Sequence, residues 1–232
     1  MGLLSSMHLL GRSKPLSLVG PLGLKEILTL QLKHSSTVLN YDIEFLEVSE
    51  QSKVFENKKI TVLAFPLDHR IRCFGYRFDE KPKTIRINKK NLPIEIKLQE
   101  IGSLKAGNDV LHEDGTVKYA AVKHTLPPRK SRSFAFCSDT RYFEDLAKYV
   151  NGVDLLYHEA TFIEKNASLA DKTFHSTARQ AGKIAHLSKV KMLVIGHYSA
   201  RYKDLSPFKK EARMEFANTE LAEDGTTFCI EE

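Results

Sequence analysis

The sequence predicts an α/β or α+β domain with helices packed on sheets. Two patterns carry that prediction. After Ser133, short apolar runs alternate with segments of helical period, and before Phe78 four strand-like runs follow one another. A third observation points to where the chemistry lies. Four of the apolar runs end in acidic or imidazole side chains: Ile60–Phe65 before Asp68-His69, Phe134–Cys137 before Asp139, Asp154–Tyr157 before His158-Glu159, and Lys191–Ile195 before His197. In open α/β sheets, ligands collect beyond the carboxyl ends of strands, so these four ends are expected to share one edge.

In chain order, Leu3, Leu4, Met7 and Leu10 fall near one helical face, predicting a helix over 2–10. A short strand over 16–19 and a turn at Gly20-Pro21 follow. Leu24, Ile27, Leu28 and Leu32 keep a helical period and predict a helix over 22–33. Residues 41–48, 53–56, 60–65 and 73–78 read as strands. Residues 81–132 read as an irregular polar excursion, punctuated by Pro93, Gly102, Gly107 and Pro127-Pro128, with a hairpin near Asp114-Gly115. A helix over 143–150 leads to the strand at 154–157. Ser176 is placed as the cap of a helix through Leu187. Ser206-Pro207 is a suitable start for a helix through Ala217, and 226–230 is expected to close the chain as a strand.

At 232 residues and 42% hydrophobic, the chain has the composition of a globular protein. Leu3–Leu10 is too short for a membrane span and lacks the basic flank of a signal peptide. Three cysteines without metal-type spacing argue against a disulfide framework. Cys137 and Cys229 are expected to be small buried side chains, and a reducing, cytoplasmic location fits. The net charge of +6 is unevenly spread. Residues 81–132 hold twelve Lys/Arg against five Asp/Glu, and the rest of the chain holds 23 against 24. Such a segment suits a polyanionic partner, through phosphate contacts and counterion release.

Among the candidate groups, the two oxygens of Asp139 can bridge two cations. His69 and His197 supply imidazole donors suited to zinc. Asp68 is read as a turn residue rather than a ligand. Glu159 can orient His175, which can then give a proton to a departing oxygen. His112-Glu113-Asp114 looks metal-like but lies in the predicted hairpin turn.

Five motifs occur in order: Pro66-Leu67-Asp68-His69 with Phe74-Gly75-Tyr76-Arg77, Ser138-Asp139-Thr140-Arg141, His158-Glu159-Ala160-Thr161-Phe162, His175-Ser176-Thr177, and Gly196-His197-Tyr198-Ser199-Ala200-Arg201-Tyr202. Together they resemble the ribonuclease Z family of zinc-dependent tRNA 3′-end endonucleases, within the metallo-β-lactamase superfamily. The resemblance spans essentially the whole chain. It implies a four-layer αββα sandwich over residues 1–232, with 81–132 as a basic excursion that could contact tRNA. It implies two zinc ions, with Asp139 between them, His69 on one and His197 on the other. It also implies Glu159 and His175 as the acid pair, Arg201 near the scissile phosphate, precursor tRNA as substrate, and a homodimer.

Two departures bear on those expectations. The family's His-x-His-x-Asp-His motif is absent, so the sandwich is expected to lack its first strands and the chain alone to bind zinc weakly and be nearly inactive. The excursion also lacks the Gly-Pro tip of the family's tRNA-binding arm. Alternative readings are a metallo-β-lactamase-fold hydrolase of small phosphodiesters or esters, and a non-catalytic RNA-binding remnant.

Overall fold

The amino-terminal apolar stripe forms α1 (Gly2–Leu9), which buries Leu4. Tyr41 Oη donates to the Leu4 carbonyl at 2.9 Å and ties the helix down. β1 (Leu16–Pro21), α2 (Leu24–His34) and β2 (Ile43–Val48) make a parallel β-α-β unit, in register from Leu16 opposite Ile43 to Pro21 opposite Val48. The turn expected at Gly20-Pro21 lies three residues later, at Gly23, whose φ of 93° suits glycine. The Glu47 carboxylate accepts from the N–H groups of Gly23 and Lys25, placing a negative charge at the positive end of α2. β3 (Ser52–Glu56), β4 (Ile60–Leu67) and β5 (Cys73–Glu80) follow. Side chains alternate across a strand. Gly20 and Glu47 therefore face α2, while Val19 and Val48 face the other way and join Ala64 and Phe74 of β4 and β5 in a buried cluster.

The computed structural model describes residues 1–231, in two compact units: Met1–Asp79 with Ser133–Ile230, and a second centred on Glu80–Arg132. The second unit is more ordered than its sequence suggests. It contains β6 (Arg86–Ile87), α3 (Leu98–Lys105), β7 (Val110–Leu111), β8 (Val117–Tyr119), α4 (Ala121–His124) and β9 (Thr125–Leu126). β6 pairs with β9, and β7 with β8 across the hairpin expected at Asp114-Gly115. Leu104, Val110 and Ala121 are buried together, with Ile87, Ile96 and Tyr119 packed around them. These apolar residues are too widely spaced to produce a period, so the small core is visible only after folding.

The first unit continues with β10 (Ser133–Cys137), α5 (Leu146–Tyr149), β11 (Leu155–Glu159), α6 (Ala167–Lys172), α7 (Ala178–Leu187), β12 (Met192–Gly196), α8 (Ser206–Glu215) and β13 (Thr219–Leu221). A seven-stranded sheet runs β13-β12-β11-β10-β5-β4-β3. β10 to β13 are parallel and β5 is antiparallel to β10. β4 neighbours β5 through a five-residue loop, too short for a parallel crossover, so β4 runs with β10. The carboxyl ends of β4, β10, β11 and β12 thus share one edge, as expected.

The main core lies between this sheet and helices α5, α7 and α8. It includes Leu156, Leu193, Ile195, Ile184 and Phe208, each fully buried. α7 and α8 approach closely at Gly182, where a Cβ would come 2.5 Å from the Ala212 carbonyl oxygen. The layer order is helix, two-stranded sheet, seven-stranded sheet, helices: an αββα arrangement whose second sheet has two strands among the described residues.

Several local expectations are corrected. The helix over 143–150 is one turn, at Leu146–Tyr149. Thr177, not Ser176, caps α7, with Gln180 completing a capping box. Ser176 instead donates to the Thr140 carbonyl at 2.7 Å. α8 ends at Glu215, and Asp204 accepts from the Ser206 N–H at its start. Residues 226–230 form no strand, because β13 at Thr219–Leu221 already takes the edge beside β12. Cys137 is buried but Cys229 is exposed. Among the described residues no helix is long and apolar enough to cross a membrane.

Candidate metal and acid–base centre

The shared edge brings the predicted residues together. Asp139 lies in the turn after β10, with the side chain about one-third exposed. Its two oxygens face two imidazoles: His69 Nε2 is 3.9 Å from Oδ2, and His197 Nε2 is 3.4 Å from Oδ1. His69 follows β4 by two residues, and its Nδ1 is 2.9 Å from the Phe174 carbonyl oxygen. A carbonyl only accepts, so Nδ1 carries a proton, and in the neutral ring the Nε2 lone pair points toward the carboxylate. A lone pair facing a carboxylate is unfavourable unless a cation lies between them. This arrangement fits a metal ion, and one carboxylate facing two imidazoles fits a bridging ligand. The three donors are nonetheless few for two catalytic zinc sites, which need about three protein ligands each.

Both loops that hold these imidazoles contain uncommon backbone. His197 has φ of 62° and Phe174 has φ of 58°. Left-handed conformations cost energy in bulky residues and persist where surroundings enforce them, commonly at functional sites. Before His197, Gly196 lies against Tyr157, where a Cβ would come 2.4 Å from the phenol oxygen. Around Phe174, the Arg141 guanidinium lies 4.7 Å over the ring, and the His175 N–H donates to the Ala170 carbonyl at 2.8 Å.

Glu159 ends β11 and is fully buried. Its carboxylate accepts four hydrogen bonds. Oε1 receives His175 Nδ1 at 2.7 Å and the Thr140 N–H at 3.0 Å. Oε2 receives the Thr161 N–H at 2.9 Å and the Thr161 hydroxyl at 2.8 Å. Burial pushes the Glu159 carboxyl upward, but the bonds from His175 and Thr140 outweigh it and leave it below the usual carboxylate range. The bond to Glu159 raises the His175 imidazole, and burial opposes that only in part. Each partner therefore favours the charged form of the other. The His175 ring lies 5.2 Å from that of His69 and 5.4 Å from that of His197.

Arg201 is set slightly apart. Its guanidinium carbon lies 5.1 Å over the Phe162 ring, and that ring meets His175 edge-on at 6.2 Å. Asp68 is a positioning residue, as its turn suggested. Its carboxylate accepts from Arg141 Nε and Nη2, and its carbonyl from the Arg141 N–H at 2.7 Å, joining the loops after β4 and β10. His158 points the other way, into the core. Its Nδ1 is 2.6 Å from the Glu159 carbonyl oxygen, and its Nε2 has no partner among the described residues. His112 and Glu113 belong to no donor group among the described residues.

Sequence reasoning missed three contributors: the Thr161 hydroxyl, the Phe174 carbonyl and Arg141. Thr161 had a signal, because it stands two residues after Glu159 and an extended chain puts both on one side. A backbone carbonyl that selects a tautomer leaves no mark in a sequence.

The chain is similar to proteins named ribonuclease Z. It is 44% identical to that of Cytophaga hutchinsonii over 232 residues, covering 99% of this chain and 74% of the relative. It is 40% identical to that of Parabacteroides distasonis, covering 99% and 76%. Among solved structures, the short form of human tRNase Z superposes with a TM-score of 0.63 at 21% identity, over 100% of this chain and 73% of the other. The metallo-β-lactamase fold protein YhfI of Bacillus subtilis also gives 0.63, at 14% identity, over 97% and 69%. No family model matches the chain. The fold is accordingly of the metallo-β-lactamase type, and the identities across nearly all of its length show that this chain belongs to the ribonuclease Z family.

Proposed function

We propose that this chain carries acid–base and metal-binding groups of a zinc-dependent endoribonuclease that cuts precursor tRNA on its 3′ side. The observation that carries the reading is the Asp139 carboxylate, facing His69 and His197 with separate oxygens next to the Glu159–His175 couple. Asp139, His69 and His197 would hold the zinc. Zinc bound there lowers the pKa of water and stabilises charge on a phosphoryl oxygen.

The other groups are the chain's own. Glu159 stays ionised and holds His175 by its Nδ1–H. His175 keeps a proton on the opposite nitrogen and delivers it to the departing oxygen. Arg201, over the Phe162 ring, offers planar donors to the phosphate oxygens. The basic segment 81–132 contacts the tRNA backbone, with Arg86, Lys89 and Lys105 along one groove over Ile85 and Leu92. The active assembly is a homodimer, and its compartment the cytoplasm.

With three donors, this chain alone holds zinc weakly and cuts slowly. The test combines zinc content after purification with cleavage of a trailer-bearing precursor tRNA and a small chromogenic phosphodiester in excess zinc. The expected result is well under two zincs per chain, and slow cleavage on the 3′ side of the tRNA that Asp139→Asn abolishes. Two tightly held zincs would overturn the donor count, and hydrolysis of the small diester in preference to RNA would overturn the substrate.

A further inference from the structure

We infer that Thr161 is a positioning residue: through its hydroxyl, the buried Glu159 carboxylate, which holds His175 directly, also sets the tautomer of His197. The inference rests on the reading of His197 as a metal ligand, but its geometry stands alone. Thr161 Oγ1 lies 2.8 Å from Glu159 Oε2, 2.8 Å from His197 Nδ1 and 3.2 Å from His175 Nδ1.

A hydroxyl has one proton to give and two lone pairs to offer. An ionised carboxylate only accepts, so the proton of Thr161 goes to Glu159. The hydroxyl can then only accept from His197, whose Nδ1 must carry the hydrogen. In the neutral ring His197 Nε2 is then the bare nitrogen, and that atom faces Asp139 Oδ1 at 3.4 Å. His175 gives its Nδ1 proton chiefly to Glu159 Oε1, at the shorter 2.7 Å. One carboxylate thus orients two imidazoles, one directly and one through a hydroxyl.

The relay is held in place by backbone. Thr161 is buried, at 7% exposure. Its N–H donates to Glu159, and its carbonyl accepts from the Ser199 N–H at 3.1 Å, in the same loop as His197. The neighbouring Ala160 N–H donates to the Gly196 carbonyl at 2.7 Å. The hydroxyl therefore spans the gap between the ends of β11 and β12, on a backbone tied to both. Metal-binding histidines commonly donate their second ring nitrogen to such a partner, which fixes the ring and its tautomer. Here that partner is a threonine backed by a carboxylate. For His69 the same part is played by the Phe174 carbonyl, which no change of side chain at 161 removes.

The test is ring-nitrogen NMR of the chelator-treated chain with labelled histidine, at about pH 9, well above the unperturbed imidazole value of about 6.5. His197 is assigned by its loss in His197→Gln. In the wild type, His69, His175 and His197 should all show the Nδ1–H form. Thr161→Val keeps the shape and removes the relay: His197 should lose the Nδ1–H form, while His69 keeps it as an internal control of folding. Thr161→Ser should restore it. An Nε2–H form of His197 in the wild type would overturn the inference outright, even if the valine variant failed to fold. So would an unchanged His197 in a folded Thr161→Val protein. No cleavage is measured, so failure of the endonuclease reading leaves these outcomes standing, and wrong tautomers in a cleaving enzyme overturn only the relay.

Discussion

The two compact units use charge in opposite ways. At the edge of the seven-stranded sheet, one fully buried carboxylate, Glu159, accepts four hydrogen bonds and orders the groups around it. In the unit around 80–132, twelve basic residues against six acidic ones lie on short elements over a small core. A buried charge must be paired individually, because burial without partners is costly. Exposed charges act together through a field that salt weakens. Single substitutions should therefore be steep and insensitive to salt in the first unit, and shallow, cumulative and salt-dependent in the second.

The largest expected effect is Glu159→Ala, which strands the Thr140 and Thr161 N–H groups and the His175 Nδ1–H. Breaking a buried pair in this way costs about 3–5 kcal/mol, read by urea unfolding at low and high salt. A loss below about 1 kcal/mol would erase the contrast between the units.

Next is the pH dependence of the couple. His175 is raised in the folded chain, so its contribution is full below its unfolded pKa and fades as pH rises through the raised value. Glu159 is lowered, so its contribution is full above its unfolded pKa and fades as pH falls through the lowered value. The pair should stabilise most between about pH 4.3 and 6.5, the unperturbed values of the two groups. An NMR titration of metal-free protein should find His175 above about 6.5, falling in Glu159→Gln. An unmoved midpoint in that variant would remove Glu159 as the cause.

The second unit should respond by increments. Changing Lys89, Lys90 and Lys105 to Gln should weaken tRNA binding and flatten its salt dependence, the slope falling by about 0.7–0.9 for each phosphate that is no longer neutralised. Binding and slope that do not move would take this segment out of the tRNA interface.

Smallest is Glu80→Gln. Arg132 and Lys83 hold the Glu80 carboxyl down at about 2, but the cluster is partly exposed and water screens it. Its contribution should be at most about 1 kcal/mol at neutral pH, lost as pH falls from about 4.5 toward 2.

Much of the first unit was legible because apolar runs and helical periods are local signals. The runs leading to His69, Asp139, Glu159 and His197 mark β4, β10, β11 and β12, and parallel pairing brings their ends to one edge. The errors fell where a tertiary partner decides. Residues 226–230 have strand-like composition but no neighbour to pair with, and Leu104, Val110 and Ala121 make a core from residues with no periodic spacing.

The sequence by itself determined which residues can act: a carboxylate and two imidazoles for a metal, a carboxylate and an imidazole for a proton. Residue type and chain order specify these, because the chemistry belongs to the side chains. Tertiary structure alone decided which nitrogen of each imidazole faces Asp139. That depends on the Phe174 carbonyl and the Thr161 hydroxyl, brought to His69 and His197 from other strand ends and loops. A hydrogen bond between distant residues exists only once the chain has folded around it.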